Sequence, residues 1–300
     1  MFVKALAEFI MQGLPQAVLA TVGFAVLAMV LPPVGLVSTA VVALVALREG
    51  ATQSLYVVVI SSVVLAVMML LMQQPPVWGL LAGLVQWTPL LLLGLLLGYT
   101  SNWTLTIQAS LAFCLASVLM VYLFVADVPG LWQSLLDQFA RPALEKAGMP
   151  DAQISEALQY SAGILTGVLA ASLLLTLLLS LMLARAMQAS LYNPGGFSLE
   201  FRELRFGMWP AAVGALLLLV MTVSEATLPG ELLTVIVIAF FLQGLAVIHG
   251  LVAQQGMMRG WLAGVYVFLA LFITPVIMLL AGLGWVDAVV DFRRRLGRSE

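Results

Sequence analysis

The stretch LPQAVLATVGFAVLAMVLPPVGLVSTAVVALVAL (residues 14–47) contains no charged side chain. Apolar sequence continues from there to Ala126, and the only charges on the way are Arg48 and Glu49, which lie at a turn. The whole chain of 300 residues is 63% hydrophobic and 9% charged, whereas about 25% of the residues in a soluble domain are charged. The sequence therefore predicts a membrane protein with several spans.

The apolar runs are typical of helices and not of barrel strands. A hydrocarbon core about 30 Å thick needs about 20 apolar residues in a helix, and a helix satisfies its own backbone hydrogen bonds there. A strand of a transmembrane barrel would alternate apolar and polar residues over about ten positions, and Leu173–Leu183 does not. We therefore predict an all-α fold, a polytopic bundle of transmembrane helices.

Hydropathy predicts nine helices, with eight full crossings as the alternative. The predicted spans are 14–31, 34–47, 51–72, 77–98, 103–126, 161–188, 207–226, 231–252 and 261–283. The second span is too short to cross comfortably, since Pro32-Pro33 precedes it and Arg48-Glu49-Gly50 follows it. It must thin the bilayer locally, lie tilted at the edge of the bundle, or form a re-entrant element.

Turn residues divide the chain into two membrane parts. The segment Tyr192–Phe197 contains Asn-Pro-Gly-Gly, which demands a turn, and charged residues follow it. We therefore predict a six-helix part at 1–191, a connecting loop at 192–206, and a three-helix part with an Arg-rich tail at 207–300. Within the first part, apolar residues at helical spacing in 128–160 predict a loop helix at the membrane interface.

Lys and Arg residues near the span ends are divided equally between the two sides of the predicted topology. We favour a cytoplasmic N-terminus, because the cations assigned to that side recur at four separate loops or ends. The first run is longer than the apolar region of a typical cleavable signal peptide, so we expect it to be retained.

Chemistry in such a chain must come from polar groups at membrane depth, which are costly and usually functional. No charge falls at the middle of a predicted span, which argues against a proton relay or an ion pump. The uncharged candidates for substrate binding are Gln86, Gln243 and the only histidine, His249. Their simpler interpretation is an interhelical hydrogen bond worth about 0.6 kcal/mol. Gln243 and His249 are six residues apart and therefore lie on different faces of a helix.

The sequence contains no catalytic or metal-binding motif. One histidine and one cysteine, Cys114, cannot assemble a His/Cys metal site, and Cys114 is expected to be a packing residue. No nucleophile, zinc-protease or Walker sequence is present, so we assign no catalytic residue, no metal and no cofactor. If ATP drives transport, another subunit must supply the ATPase. The lipid bilayer is the expected partner, and nucleic acid is not.

Several short motifs resemble one family. Leu47-Arg48-Glu49-Gly50, the turn Tyr192–Phe197 with Glu200-Phe201-Arg202, and the ending Gly284–Asp287 with Asp291-Phe292-Arg293-Arg294 are similar to those of the YybS-like bacterial membrane proteins, a family of unknown function. The resemblance implies a bacterial inner-membrane protein. It also implies that the first six helices are similar to the substrate-binding S-components of energy-coupling factor transporters.

Two sets of residues are candidates for docking another subunit. Ala17, Thr21 and Ala25 repeat at four-residue spacing, which permits close helix approach. S-component-like proteins dock through small residues on their first helix, so the resemblance nominates this stripe, although packing within the monomer is the simpler interpretation. Arg202 and Arg205 follow the turn and offer charges to a soluble partner, although an elbow at the membrane interface, whose charges pair and face the headgroups, is the simpler interpretation.

Three functional hypotheses remain. The first is a small-molecule binding or transport subunit that lacks its own ATPase. The second is a membrane scaffold or assembly protein that acts through its loops and tail. The third, a lipid-modifying enzyme, comes last because no convincing acid/base pair is present, and we therefore expect that the protein is not an enzyme.

Overall fold

The computed structural model describes residues 2–258, 260–291 and 293, and in this part of the chain every regular element is a helix. The all-α prediction is therefore confirmed. The helices are α1 (Phe2–Ile10), α2 (Leu14–Leu27), α3 (Gly35–Leu71), α4 (Pro76–Thr100), α5 (Trp103–Phe124), α6 (Val128–Phe139), α7 (Arg141–Lys146), α8 (Asp151–Ala162), α9 (Leu165–Tyr192), α10 (Gly196–Arg202), α11 (Met208–Met221), α12 (Thr227–Gln254), α13 (Gly260–Leu271) and α14 (Ile273–Val290), with a 3-10 turn at Pro32–Val34.

Among the described residues, six helical segments are long and apolar enough to cross a bilayer. They are Pro32–Leu71, Pro76–Thr100, Trp103–Phe124, Leu165–Tyr192, Thr227–Gln254 and Ile273–Val290. Three shorter helices, α2, α11 and α13, are also apolar. The chain is therefore a multi-pass membrane protein. The Arg-rich tail after Arg293 lies outside the described residues.

The predicted single span at 261–283 is wrong. Two helices, α13 and α14, replace it, and Phe272 between them has φ −131° and ψ 58°. The break has a local cause, because Pro275 has no N–H to donate to the carbonyl of Leu271, and its ring would clash with that carbonyl in a continuous helix. Pro89, by contrast, lies within a continuous α4.

The described chain forms two compact units. Unit 1 consists of the segment up to Ser110 together with Thr176–Leu204, and unit 2 consists of Leu111–Leu175 together with the chain from Arg205. Two of the boundaries fall inside α5 and α9, and the third falls within the predicted connecting loop 192–206.

The first half of α3 forms the core of unit 1. All residues from Ser38 to Ala46 are buried, which means that this half is surrounded on every side. Ser38 donates to the Thr21 carbonyl of α2 at 2.7 Å and accepts from Trp87 Nε1 of α4 at 3.1 Å. The next residue, Thr39, shares a hydrogen bond of 2.7 Å with Ser180 of α9. These hydroxyl groups tie three helices to α3 in surroundings where no water competes.

Gly50 reverses the chain inside α3. Its φ of 79° and ψ of −165° are open to glycine and costly for other residues. Before Gly50, Ala43 and Ala46 pack at Gly94, and Leu47 packs at Gly98, so α3 runs parallel to α4. After Gly50, Ser62 packs at Gly83 and Leu65 at Gly79, so α3 runs antiparallel to α4. The predicted spans 34–47 and 51–72 are therefore two antiparallel halves that meet at one glycine.

The turn between α2 and α3, residues 28–34, stops short of the far end of α4. The pairing of Ala43 and Ala46 with Gly94 places the start of α3 level with about Val85. That position is roughly 14 Å inside the end of α4 at Pro76, at 1.5 Å per residue. Of the three alternatives for the short second span, this register favours the re-entrant element.

The chemistry of residues 28–34 suits a turn at membrane depth. All seven side chains are apolar, and Met29 and Val30 are 66% and 77% exposed. The N–H groups of residues 28–31 and 34 all donate to backbone carbonyls, and Pro32 and Pro33 have none to donate. Hydrocarbon penalises each unsatisfied N–H group by several kcal/mol, and this turn presents none.

We expect a cysteine at Val30 to be shielded from water on both sides of the membrane. In a Cys114→Ala background, Val30→Cys should react slowly with a membrane-impermeant maleimide, whereas Gln73→Cys, in the polar turn between α3 and α4, should react readily. Mass spectrometry of the labelled protein gives both rates. Equal rates from the same side would show that the α2–α3 turn reaches that surface.

In unit 2, α12 and α14 meet at the backbone. A Cβ atom at Gly244 would overlap the Leu280 carbonyl, and one at Gly284 would overlap the Phe240 carbonyl. Next to this contact, Phe240 and Trp285 stack with ring centres 5.7 Å apart. Small residues thus allow close contact where lipid offers no hydrophobic drive for helix association.

Helices α6–α8 (residues 128–162), called the cap below, confirm the helix predicted in the 128–160 loop. Asp127 caps α6 by accepting from the Gly130 N–H at 2.9 Å. Arg141 donates to Asp137 of α6 at 2.9 Å and to Asp151 of α8 at 2.7 Å, and so joins the helices of the cap. The location of the cap at the membrane interface stays a prediction.

Candidate functional site

A half-open pocket lies beside the chain reversal at Gly50 in unit 1. Its volume is about 410 Å³, which is within the range of small-molecule sites. Residues Ile10, Leu14 and Ala17 form an apolar wall from α1 and α2, together with Val45 and Val57 of α3.

Three polar side chains, those of Glu49, Gln53 and Tyr56, line the other wall of the Gly50 pocket. Tyr56 is 50% exposed, and Glu49 makes no ion pair with any other described residue. The neighbouring cation, Arg48, instead lies over the ring of Tyr192, 3.7 Å from its centre. The pocket therefore offers a carboxylate, an amide and a phenol opposite an apolar surface.

The predicted binding residue Gln86 lies on an exposed face of α4, next to the fully buried Trp87. It is not among the residues that line the Gly50 pocket. The structure thus places this amide on the outside of unit 1.

Gln243 lies at the centre of a buried hydrogen-bond network in unit 2. Its Oε1 accepts from the Phe206 N–H at 2.9 Å, and its Nε2 donates to Asp287 Oδ2 at 3.0 Å. The same Oδ2 accepts from Arg293 Nη2 at 2.7 Å. Gln243 is completely buried and Asp287 is 1% exposed. Gln243 of α12 therefore bonds to Asp287 of α14. Such an interhelical hydrogen bond was the simpler interpretation of Gln243 in the sequence.

His249 lies apart from this network. Its Nδ1 lies 2.9 Å from the Leu245 carbonyl, and its Nε2 lies 3.3 Å from the Tyr266 hydroxyl. The rings of His249 and Tyr266 meet edge to face with centres 5.9 Å apart. The structure therefore does not bring Gln243 and His249 together.

The small-residue stripe on α2 is largely internal. Ala17 and Thr21 are 2% and 0% exposed, and Ala25 is half-buried. The Thr21 carbonyl accepts from Ser38, as described above. Packing inside unit 1 thus covers Ala17 and Thr21, which are the positions that docking would need.

The two candidate docking arginines belong to different units. Arg202 ends α10 in unit 1 and is half-buried. Arg205 belongs to unit 2 and forms an ion pair with Asp291 at 2.5 Å.

Glu200 anchors the loop helix α10 within unit 1. Its carboxylate accepts from Arg185 Nε at 2.9 Å, from Arg185 Nη2 at 2.6 Å and from Trp103 Nε1 at 2.7 Å. The paired guanidinium of Arg185, and then the indole N–H of Trp103, hold the pKa of Glu200 below its usual value.

Sequence reasoning missed two buried carboxyl groups, Asp287 and Glu231, which are each 1% exposed. The predicted last span ended at 283, whereas α14 continues to Val290 and carries Asp287 inward beside Gln243. Both carboxyl groups lie near the ends of their helices, so they do not contradict the prediction that no charge falls at the middle of a span, but the sequence did not indicate that they would be buried. The predicted span began at Glu231, whereas α12 begins earlier, at Thr227.

Two residues of the Gly50 pocket, Gln53 and Tyr56, were also missed. Their spacing of three residues places both on one face of the second half of α3. That spacing was a usable signal, but nothing in the sequence showed that Gly50 would bring Glu49 to the same face. Within the described residues, no group of three or more His, Cys, Asp or Glu side chains is arranged to hold a metal ion.

Comparisons of the chain with protein-family models, with curated proteins and with solved structures find no match. The resemblance to the YybS-like proteins and to S-components stays a prediction.

We expect Gln243→Leu to lower the thermal stability of the protein in detergent. The change leaves the Phe206 N–H and the Asp287 carboxylate short of a partner, which costs about 1 to 3 kcal/mol. Gln86→Leu is the matched control, and it should leave the melting temperature unchanged or raised, because its amide is exposed. Similar melting temperatures for the two variants would contradict a structural role for Gln243.

We expect the stabilisation from Glu200 to depend on pH. Because its pKa is lowered in the folded state, the stabilisation should be complete above the ordinary glutamate pKa of about 4.3. This stabilisation should disappear as the pH falls through the lowered pKa of Glu200 in the folded protein. At pH 7, Glu200→Gln should lower the free energy of unfolding by about 1 kcal/mol, which is the upper end of the range for a partly exposed ion pair.

Melting curves of the wild type and of Glu200→Gln between pH 7 and acid should therefore converge only at low pH. Glu203→Gln is the control, since Glu203 is exposed on the same loop, and it should follow the wild type throughout. A constant gap between the wild type and Glu200→Gln at all pH values would rule out the charged bond as its cause.

Proposed function

We propose that this protein is the small-molecule-binding subunit of a bacterial inner-membrane transport system, without an ATPase of its own. The Gly50 pocket carries this proposal, because it combines a suitable volume with polar groups on one side and apolar groups on the other. We place the N-terminus in the cytoplasm, because the Lys and Arg residues assigned to that side recur at four separate loops or ends.

The position of the pocket supports a transport role. The pocket lies where the chain reverses at Gly50, between the short first half of α3 and its longer second half, and transporters commonly form their sites beside membrane segments that do not cross as one continuous helix. The apolar wall of the pocket includes Leu14 and Ala17 of α2. Helix α2 leads into the first half of α3, and the register of that half on α4 favours a re-entrant hairpin. A ligand would thus contact both the turn at Gly50 and a hairpin that enters the bilayer.

The polar wall defines the ligand class. Glu49 is a carboxylate without an ion-pair partner among the described residues, so it would favour a ligand with an ammonium group or several hydroxyl groups. Gln53 can donate and accept, and Tyr56 can do the same. The apolar wall would receive a hydrocarbon or aromatic portion. We therefore propose a small amphipathic ligand with at least one strong hydrogen-bond donor.

The scaffold hypothesis has less support from the loop charges. Arg205 is engaged with Asp291, and Glu200 is engaged with Arg185 and Trp103, all within their own units. A docking surface built on these groups would first have to break those bonds.

We expect the purified protein in detergent to retain a small molecule that native mass spectrometry detects as a non-covalent mass increase. Glu49→Gln should weaken retention about ten- to hundredfold, since a hydrogen bond to a charged group contributes about 1.5 to 3 kcal/mol. Tyr56→Phe should weaken it less.

The exposed Glu203→Gln variant is the control for Glu49→Gln, and it should retain the ligand like the wild type. Recovery of phospholipid alone, or equal retention by the Glu49→Gln variant, would contradict the proposed site.

A further inference from the structure

Glu231 is a carboxyl group buried inside unit 2, separate from the Gln243 network. It lies in the second turn of α12 and is 1% exposed. Gly167 of α9 packs directly on it, since a Cβ atom at Gly167 would come within 2.6 Å of the Glu231 Cα. The two helices touch at their backbones here, so little space remains beside the carboxyl group.

The polar groups near this carboxyl come from the ends of two helices, α5 and α9. They are the Tyr122 hydroxyl of α5 and the backbone and hydroxyl groups at Thr166 and Gly167, where α9 begins. The Tyr122 hydroxyl shares a hydrogen bond of 2.7 Å with Thr227 at the start of α12. None of these groups donates to Glu231 with normal hydrogen-bond geometry, and neither of its oxygens has a partner.

Within the described residues, no cationic side chain pairs with Glu231. Of the titratable groups on the helices packed against α12, Tyr122 faces Glu231, Asp287 of α14 is bound by Gln243 and Arg293, and Tyr266 of α13 is next to His249. Helix α11 carries no titratable residue.

An ionised carboxylate in this setting would be a buried charge with neither a counterion nor a hydrogen bond. Such a group normally becomes neutral instead of paying the cost of desolvation. Intramembrane acidic residues also serve as proton carriers in pumps and transporters. We propose that Glu231 is a proton-binding site, held as the neutral carboxylic acid while α9, α12 and the cap remain closed around it.

The cap supplies a means of closing this site. Trp132 Nε1 of α6 donates to Thr166 Oγ1 at 2.8 Å, and Thr166 lies directly beside the Glu231 carboxyl. Opening of the Trp132–Thr166 bond would admit water, to which the acid can pass its proton.

Infrared spectroscopy of the detergent-solubilised protein tests this site directly. A protonated carboxylic acid gives a C=O stretching band that shifts in D₂O, and we expect this band in the wild type at neutral pH. Glu231→Gln, which resembles the neutral acid in shape, should lose the band and keep the melting temperature of the wild type. The exposed Glu225→Gln should keep the band.

The absence of an acid band from the wild type, or an unchanged band in Glu231→Gln, would overturn the proposal. If Glu231→Gln does not fold, Glu231→Asp must shift the band, and an unshifted band would overturn the proposal equally.

The role of the cap is tested by the rate at which the band shifts in D₂O. Trp132→Phe removes the bond to Thr166 and keeps a ring, so exchange should accelerate about fivefold, as expected for one neutral hydrogen bond. Trp261→Phe, at an exposed tryptophan of α13, is the control and should leave the rate unchanged. An unchanged rate in Trp132→Phe would show that the cap does not close the site.

Discussion

Direct contact between helix backbones is the constraint on which both units depend. In a bilayer, apolar side chains gain little by leaving lipid for protein, so helices must associate through close packing and hydrogen bonds. Glycine makes this possible where α4 meets α3 at Gly79, Gly83 and Gly94, and where α12 meets α14 at Gly244 and Gly284. A Cβ atom at each position would lie under 3.0 Å from the facing helix. The polar network, the Gly50 pocket and the Glu231 site all occupy places that this packing defines.

Close packing also determines which polar groups can be tolerated. Ser38 and Thr39 bond to neighbouring helices of unit 1, and Gln243 bonds to both Asp287 and the Phe206 backbone in unit 2. These groups are satisfied and therefore hold the helices in one arrangement. Glu231 differs, because its oxygens have no partner. An unsatisfied buried group in a native structure calls for an explanation, and proton binding provides one.

Part of the candidate chemistry could be predicted from the sequence. Gln243 was found because an amide in a long apolar run stands out, but its partner Asp287 was placed outside the membrane when the last span was taken to end at 283. Glu49 was visible as one of two charges in over one hundred residues, yet its pocket was not, since Gln53 and Tyr56 reach it only because the chain reverses at Gly50. For the stripe at Ala17 the sequence left docking and internal packing both open, and only the structure showed that Ala17 and Thr21 are buried and that Ser38 bonds to the Thr21 carbonyl.

Composition and hydropathy by themselves determined that this protein is an all-helical, multi-pass membrane protein, because the cost of placing backbone and charge in hydrocarbon leaves few alternatives. The tertiary structure alone decided which small residues face inward, that α3 folds back on itself, and that two carboxyl groups are buried. Those outcomes depend on contacts between residues far apart in the chain, and a hydropathy pattern records only the local preference of each segment for lipid or water.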